Sequence, residues 1–325
     1  MRYVITGGTG HIGNNLIRYI NEVAKDAEVV ALLRKKNPKE LEGASCTQVV
    51  GNLADREFLS QNIYEGDVVV HLAGLIDLSN KKKQQCIDIN YNLTRLITDV
   101  CIEKKVAKYI YVGSVDGITR EGDGEICEPE GYYPEKIEGN YGKTKAMACA
   151  YVLQKIKENP DFNCAIVLPS AVIGINDFKP SAVGKIVLDV LCGKAELGIK
   201  GGYNFVDVRD VAKAIYDLSQ TQLRGQYIIS GRSVAVEELY HKINEYKGFK
   251  KKPIIFPTWL AKIACPFVKV LSKITIKALG EPHEYSSAKA SRDFGYQARP
   301  FDETIKDTID WLEKNKEKLL KKKEK

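Results

Sequence analysis

Histidine is scarce in this chain, with four residues in 325. The eight cysteines stand at 46, 86, 101, 127, 149, 164, 192 and 265, and no two have C-x-x-C spacing. Without paired cysteines or a histidine cluster there is no ligand set for zinc, and no metal is expected. Scattered thiols in a chain of this size read as buried side chains in a reducing cytoplasm. A charged leader with an apolar core is also missing. The first residues, Met1-Arg-Tyr-Val-Ile-Thr6, already read as a strand, so no signal peptide is expected.

Long apolar runs are lacking too. The richest stretch, Ile254–Leu279, is interrupted by Lys262, Lys269, Lys273 and Lys277 and by Pro257 and Pro266. A spanning helix needs about 20 uninterrupted apolar residues, so no membrane span is expected. The stretch reads as an amphipathic pair of helices packed on a lobe, or as a wall or lid over an apolar substrate. Charge of one sign is concentrated in one place. The formal net charge is +7, and Lys314–Lys325 carries seven lysines against two glutamates. That run reads as a frayed, solvated helix end. The rest is close to neutral, so no nucleic-acid partner is expected.

What is present is an ordinary globular composition, 44% hydrophobic and 28% charged, enough for a sizeable core. The first half alternates apolar strands with helices. Arg2–Thr6, Glu28–Leu33, Thr47–Val50, Asp67–His71 and Lys108–Gly113 read as strands, and His11–Ala24 and Lys81–Lys104 as helices. Asn140–Lys157 reads as a further helix and Asn163–Leu168 as a further strand. This order predicts an α/β fold, a doubly wound parallel sheet with helices on both faces. The last third is less regular. Phe205–Val208 and Gln226–Ile229 read as short strands around a helix near Val211–Gln220. The expected organisation is a sheet domain over 1–170, a smaller C-terminal α/β lobe over 171–313 interleaved with the sheet, and a Lys-rich tail over 314–325.

Thr6-Gly7-Gly8-Thr9-Gly10-His11-Ile12-Gly13 joins the first strand to the first helix. Glycines allow a tight turn and close backbone approach to a pyrophosphate, and the helix N-terminus offers amides and partial positive charge. The strand–turn–helix context points to a dinucleotide, so a Rossmann-type domain is expected. About 20 residues on, an NAD site usually carries a carboxylate for the ribose 2′-hydroxyl. None is present here. Arg34, Lys35 and Lys36 stand there instead, a set suited to a 2′-phosphate. NADP(H) is therefore the expected cofactor, with Arg34 as main contact and NAD(H) as the alternative.

Tyr141-Gly-Lys-Thr-Lys145 puts a phenol and an ammonium one helical turn apart. A nearby cation lowers a phenol's pKa and fits it for proton exchange at a carbonyl or alcohol. Ser114 closes the strand Tyr109-Ile-Tyr-Val-Gly-Ser114 at the carboxyl end of the sheet. There its hydroxyl can hydrogen-bond a substrate oxygen.

With these elements in order, the sequence resembles the extended short-chain dehydrogenase/reductases over nearly its full length. The resemblance also rests on Asn52-Leu53, His71-Leu-Ala-Gly74, Asp88-Ile-Asn90 with Thr94, and Leu168-Pro-Ser-Ala-Val-Ile-Gly174. Asn204-Phe-Val-Asp-Val-Arg-Asp-Val-Ala212, Ser287-Ala-Lys289, Phe294-Gly-Tyr296 and Trp311 complete it. It implies a Ser114–Tyr141–Lys145 triad, with Lys145 also holding the nicotinamide ribose. Gly7, Thr9, Gly10, His11, Ile12 and Gly13 would bind the dinucleotide. Asn52 and Leu53 would flank the adenine. Leu72, Ala73 and Gly74 would line the cofactor, Pro169, Ala171 and Val172 would meet its nicotinamide side, and Asn90 would anchor the catalytic region.

Within that family the chain looks most like the branch of dihydroflavonol-4-reductase and 3β-hydroxysteroid dehydrogenase relatives. Sugar-nucleotide enzymes usually carry an acidic second-strand end, and often an arginine where Tyr203 stands. The dehydratase Thr-Asp-Glu pattern is absent, since Val115 and Asp116 follow Ser114. The Ile173-Gly174 stretch and Asp177–Ser181 resemble members described as sugar epimerases. The expected activity is reversible reduction of a small-molecule ketone or aldehyde by NADP(H), in a monomer or homodimer, and the apolar residues of Ile254–Leu279 hint at a hydrophobic substrate. The alternatives are an NAD-dependent sugar-nucleotide epimerase or dehydratase, and a non-catalytic redox-sensing dinucleotide-binding protein.

Overall fold

The computed structural model describes residues 1–77, 79–120, 124–194, 196–264, 273–280 and 283–320. The chain runs β1 (Arg2–Thr6), α1 (His11–Val23), β2 (Glu28–Leu33), β3 (Thr47–Val50), α2 (Arg56–Asn62), β4 (Val68–His71) and α3 (Lys83–Cys86). Next come α4 (Leu93–Glu103), β5 (Lys108–Val112), α5 (Asn140–Glu158), β6 (Cys164–Pro169), β7 (Ala171–Ile173), α6 (Ala182–Leu191) and β8 (Leu197–Ile199). Then follow β9 (Gly202–Asp207), α7 (Val208–Ser219), β10 (Gly225–Ile229), β11 (Arg232–Ala235), α8 (Val236–Lys247) and β12 (Ile254–Phe256). The last described elements are α9 (Thr258–Ala264), α10 (Lys273–Gly280), α11 (Ala288–Phe294) and α12 (Phe301–Leu320).

Seven strands form one parallel sheet in the order β10-β6-β5-β4-β1-β2-β3. Alternate strand residues serve opposite layers. Val4, Tyr109 and Ile166 pack with Leu59 of α2, Ile97 of α4 and Val152 of α5. Tyr3, Ile5 and Ile110 pack with Leu16 and Ile20 of α1 and Ile215 of α7. Burial of each such aliphatic side chain contributes about 1.5–3 kcal/mol. Helices on both faces make this the doubly wound α/β fold the strand–helix alternation predicts. The sheet grows from β1 in both directions, so the carboxyl ends of β1 and β4 bound the crevice where such sheets take ligands.

After residue 170 the chain divides its elements. β10 joins the central sheet, whereas β11-β9-β7 form a second sheet and β12-β8 a two-stranded one. A third core of Val187, Phe205, Leu239, Ile243, Ile309 and Leu312 holds this part together.

Four expectations need correction. The stretch Lys81–Lys104 is interrupted by a π-helical turn over Ile87–Asn92, between α3 and α4. Ile254–Leu279 opens with a strand, because Pro253 and Pro257 leave three residues between them, too few for a helix. Residues 265–272 of that stretch, with Cys265, Pro266 and Lys269, lie outside the described residues. The basic tail is not frayed over 314–320: α12 continues to Leu320, Leu319 is buried, and Lys316 Nζ donates to the Leu191 carbonyl at 2.6 Å. Residues 321–325 lie outside the described residues. Finally, Cys86, Cys101, Cys149 and Cys164 are buried, but Cys46 and Cys192 are half-buried and Cys127 is exposed on the β5–α5 connection. Among the described residues no helix is long and apolar enough to cross a membrane.

Candidate active site

The glycine turn is built by contact. Gly7 has φ +75°, in the left-handed region, and a Cβ there would lie 2.6 Å from the Ala73 amide nitrogen. A Cβ on Gly13 would lie 2.3 Å from the Gly7 carbonyl, so the first turn of α1 sits directly on the loop. Gly10 precedes α1 with no side-chain cap, and the first turn has no acidic residue. The opening amides are thus left to an anion. Turn and helix end together fit the pyrophosphate of a dinucleotide.

Thr9 and Ile12 are half-buried in this turn. The His11 ring is engaged elsewhere, with Nε2 2.8 Å from the Ile175 carbonyl, so what His11 offers the crevice is backbone. Asn14 and Asn15 strap the same helix face to the loop after β7. Asn14 Nδ2 donates to the Asn176 carbonyl at 3.2 Å, and Asn176 Nδ2 donates to Asn15 Oδ1 at 2.9 Å.

Parallel strands bring the other predicted cofactor residues to the same edge. Arg34, Lys35 and Lys36 follow β2, are exposed and form no ion pair among the described residues. Asn52 is exposed after β3, its Oδ1 accepting from the Ala54 amide at 3.0 Å, and Leu53 packs against the first core layer. Leu72 and Ala73 are half-buried after β4, with Gly74 exposed above them. Pro169 ends β6 in a buried position, and Ala171 and Val172 are half-buried in β7.

Ser114 lies two residues beyond β5, and its Oγ accepts from the Asp116 amide at 3.1 Å. A Cβ on Gly142 would lie 2.6 Å from the Asp116 carbonyl. The start of α5 therefore rests on the 115–117 turn, which sets the Tyr141 phenol where it interacts with Ser114. Lys145 is one turn further on and buried. Its Nζ donates to the Val112 carbonyl at 2.8 Å and lies 3.4 Å from the Tyr111 hydroxyl. Burial pushes its pKa down to about 8. A Cβ on Gly74 would sit 3.6 Å from that Nζ, so the loop after β4 and α5 meet.

One electrostatic expectation is reversed. The Tyr141 pKa is raised rather than lowered, chiefly by burial and then by the Asp116 carboxylate. The Lys145 ammonium is held at the end of β5, and desolvation of the phenolate dominates.

A buried polar chain joins the two halves of the site, and the sequence reading did not assemble it. Thr6 Oγ1 lies 2.7 Å from His71 Nδ1, and His71 Nε2 lies 3.0 Å from Thr94 Oγ1. Thr94 Oγ1 donates to the Asn90 carbonyl at 2.8 Å. The Thr94 proton is thereby committed, so Nε2 must carry the imidazole hydrogen and Nδ1 accept from Thr6. Asn90, on the π-helical turn, exchanges hydrogen bonds with the Leu75 backbone at 2.7 and 3.0 Å and donates to Thr144 Oγ1 at 3.0 Å. Thr144 adjoins Lys145. The chain runs from the glycine turn to α5.

A polar wall on the other side of Ser114 was also missed. Arg120 donates to Asp116 Oδ1 at 3.1 Å. Tyr203 and Tyr285 both interact with this pair, and burial pushes each phenol up to about 12. Tyr285 arrives there through a bridge with Ile126.

A doubly wound sheet, a glycine turn at its switch point and a Ser–Tyr–Lys cluster beside it define a dinucleotide-dependent enzyme. The model of the NAD dependent epimerase/dehydratase family matches residues 3–229, and the chain belongs to that family. It is an NAD(P)-dependent enzyme acting on alcohol or carbonyl groups. It is 27% identical to a putative dihydroflavonol 4-reductase of Synechocystis sp., covering 96% of this chain and 94% of that one. It is 25% identical to sterol demethylase protein B of Methylococcus capsulatus, covering 79% and 78%. A UDP-glucose 4-epimerase of Thermotoga maritima, solved with UDP-glucose, shares the fold at a TM-score of 0.80 with 18% identity, covering 97% and 99%.

Proposed function

We propose that this enzyme reduces a ketone or aldehyde to an alcohol with NADP(H), using Ser114, Tyr141 and Lys145. The observation that carries the reading is the half-buried Tyr141, whose phenol interacts with Ser114 and has its pKa raised, with the buried Lys145 one turn further along α5. A phenol that holds its proton is poised as an acid, which is what a carbonyl oxygen requires on reduction. The bound nicotinamide supplies the hydride. Ser114 orients the substrate oxygen, Tyr141 delivers the proton, and Lys145 carries positive charge beneath them. In this reading residues 1–170 hold the cofactor and 171–313 supply the substrate lobe. The exposed cations Arg34, Lys35 and Lys36, which form no ion pair among the described residues, support NADP(H) over NAD(H). The full-length likeness to a putative dihydroflavonol 4-reductase supports a reductase.

The test is Tyr141→Phe. General acid catalysis contributes typically about 10²–10⁴-fold, so reductase turnover should fall by that factor while NADPH still raises the melting temperature. Undiminished turnover would refute the assignment.

A second reading is favoured by the fold shared with a sugar-nucleotide epimerase. That enzyme class would retain NAD and consume none. Purification with bound NAD, together with stabilisation by UDP-sugars, would establish it in place of the reductase.

A further inference from the structure

The 35 residues from 246 to 280 contain eight lysines and no aspartate or glutamate. No such imbalance is needed for folding, and the described part of this stretch shows where it sits. β12 pairs in parallel with β8, placing Ile254 beside Leu197. Both are exposed, at 56% and 54%. Phe256, two residues along the same strand face, is also exposed. α9 follows directly, and Trp259 and Ile263, one turn apart on one face, are 63% and 62% exposed. Five large apolar side chains thus stand in solvent on three elements, β8, β12 and α9. Scattered exposed apolar residues are ordinary, but a contiguous group marks an interaction surface.

The rim is cationic. Lys250, Lys252 and Lys200 are exposed and form no ion pair among the described residues. Lys251 donates to the Gly193 carbonyl at 3.3 Å, which leaves its charge uncompensated. Lys194 is paired with Asp189, which also takes Lys185, and Lys277 is paired with Glu138. The carboxylate of Glu196, the nearest acid to β8, is buried against Asn244.

We infer that β12 and α9 form a peripheral docking surface for an anionic lipid bilayer. Trp259, Ile263, Ile254 and Phe256 enter the headgroup–acyl boundary, and Lys250–Lys252 and Lys200 meet the phosphates. An apolar cluster containing tryptophan, flanked by exposed lysines and with no acidic residue on β8, β12 or α9, is complementary to both layers of such a surface at once. A protein partner or a second copy would satisfy the apolar part but would have to supply acids of its own. None of its residues is Ser114, Tyr141 or Lys145, and the inference does not depend on the reaction proposed above.

The test is flotation of the full chain with vesicles of phosphatidylcholine alone and of equimolar phosphatidylcholine and phosphatidylglycerol. Binding to the anionic vesicles only is expected. In a Trp311→Phe background, where Trp259 is the sole tryptophan, its emission should shift to the blue on those vesicles. Replacing Lys250, Lys251 and Lys252 by Gln should weaken partitioning on the order of 100-fold. Trp259→Ser with Ile263→Ser should weaken it roughly tenfold or more. Both variants change exposed side chains, and circular dichroism checks that they fold. No binding to anionic vesicles, equal binding to neutral ones, or unaltered binding of either variant would overturn the inference. So would a solution dimer that Trp259→Ser with Ile263→Ser dissociates, because the patch would then belong to a second copy.

Discussion

Acid should loosen this fold through one side chain, His71. The ring is fully buried at the end of β4, between Thr6 and Thr94. Burial and then the neighbouring Lys145 push its pKa down to about 3 from the usual 6.5. Protonation of Nδ1 would also turn the acceptor of the Thr6 hydroxyl into a second donor. A histidine whose pKa is depressed on folding stays neutral in the native state, while the unfolded chain takes up the proton below pH 6.5. Its contribution is therefore complete above pH 6.5 and is lost as pH falls from 6.5 towards 3. Linkage gives a loss of about 2 kcal/mol at pH 5 and about 3 kcal/mol at pH 4. Urea unfolding of the wild type and of His71→Gln, at pH 7 and pH 5, isolates this part from the other acid-sensitive groups. The variant should be less stable at pH 7 by about 1–3 kcal/mol, the cost of an imperfectly paired buried polar group. Between pH 7 and pH 5 the wild type should lose about 2 kcal/mol more than the variant. Equal losses in the two proteins would refute the reasoning.

Two further outcomes follow from the site. Lys145, with its pKa pushed down to about 8, carries its charge below that pH and loses it above. kcat/KM for reduction should therefore be level towards pH 7 and decline as pH rises through about 8, and a profile level to pH 10 would exclude a role for the cation. Arg34→Asp should weaken NADPH binding roughly 10–100-fold, the worth of one charge-assisted hydrogen bond, and leave NADH binding no worse. Fluorescence titration with both cofactors reads the ratio, and an unchanged ratio would remove Arg34 from the 2′-phosphate.

The sequence was most informative where chemistry is local. The glycine turn needs eight consecutive residues, and Tyr141 and Lys145 need only one helical turn, so both could be read from spacing. The parallel sheet was legible for the same reason, since each strand and helix carries its own hydrophobic period. The reach of α12 was not, because Leu312 and Leu319 find their partners across the third core and not in the neighbouring sequence. The π-helical turn was equally hidden. Its 87–92 segment has an unremarkable helical composition, yet the wider turn is what carries Asn90, with its contacts to Leu75 and Thr144. Thr94, four residues after Asn90 and aligned with it on a helix, was the available signal for that network. The reversed shift of Tyr141 had no local signal, because burial and the position of the Lys145 amine are tertiary properties.

The two sides of the candidate site therefore differ in kind. On the side of the glycine turn, most of the expected cofactor residues stand at the ends of strands of the central sheet or in the loops that follow, and parallel pairing brings those ends together. On the far side of Ser114, the Asp116–Arg120 pair meets Tyr203 from β9 and Tyr285 from the segment before α11. Tyr285 is held there because Ile126 donates to the Glu284 carbonyl at 2.9 Å and accepts from the Ser286 amide at 2.8 Å. These contacts span well over a hundred residues of chain, so changes anywhere in the later segments can reshape this wall without touching Ser114, Tyr141 or Lys145. A Ser–Tyr–Lys cluster beside a wall assembled from distant segments is an arrangement by which one fold can serve many substrates.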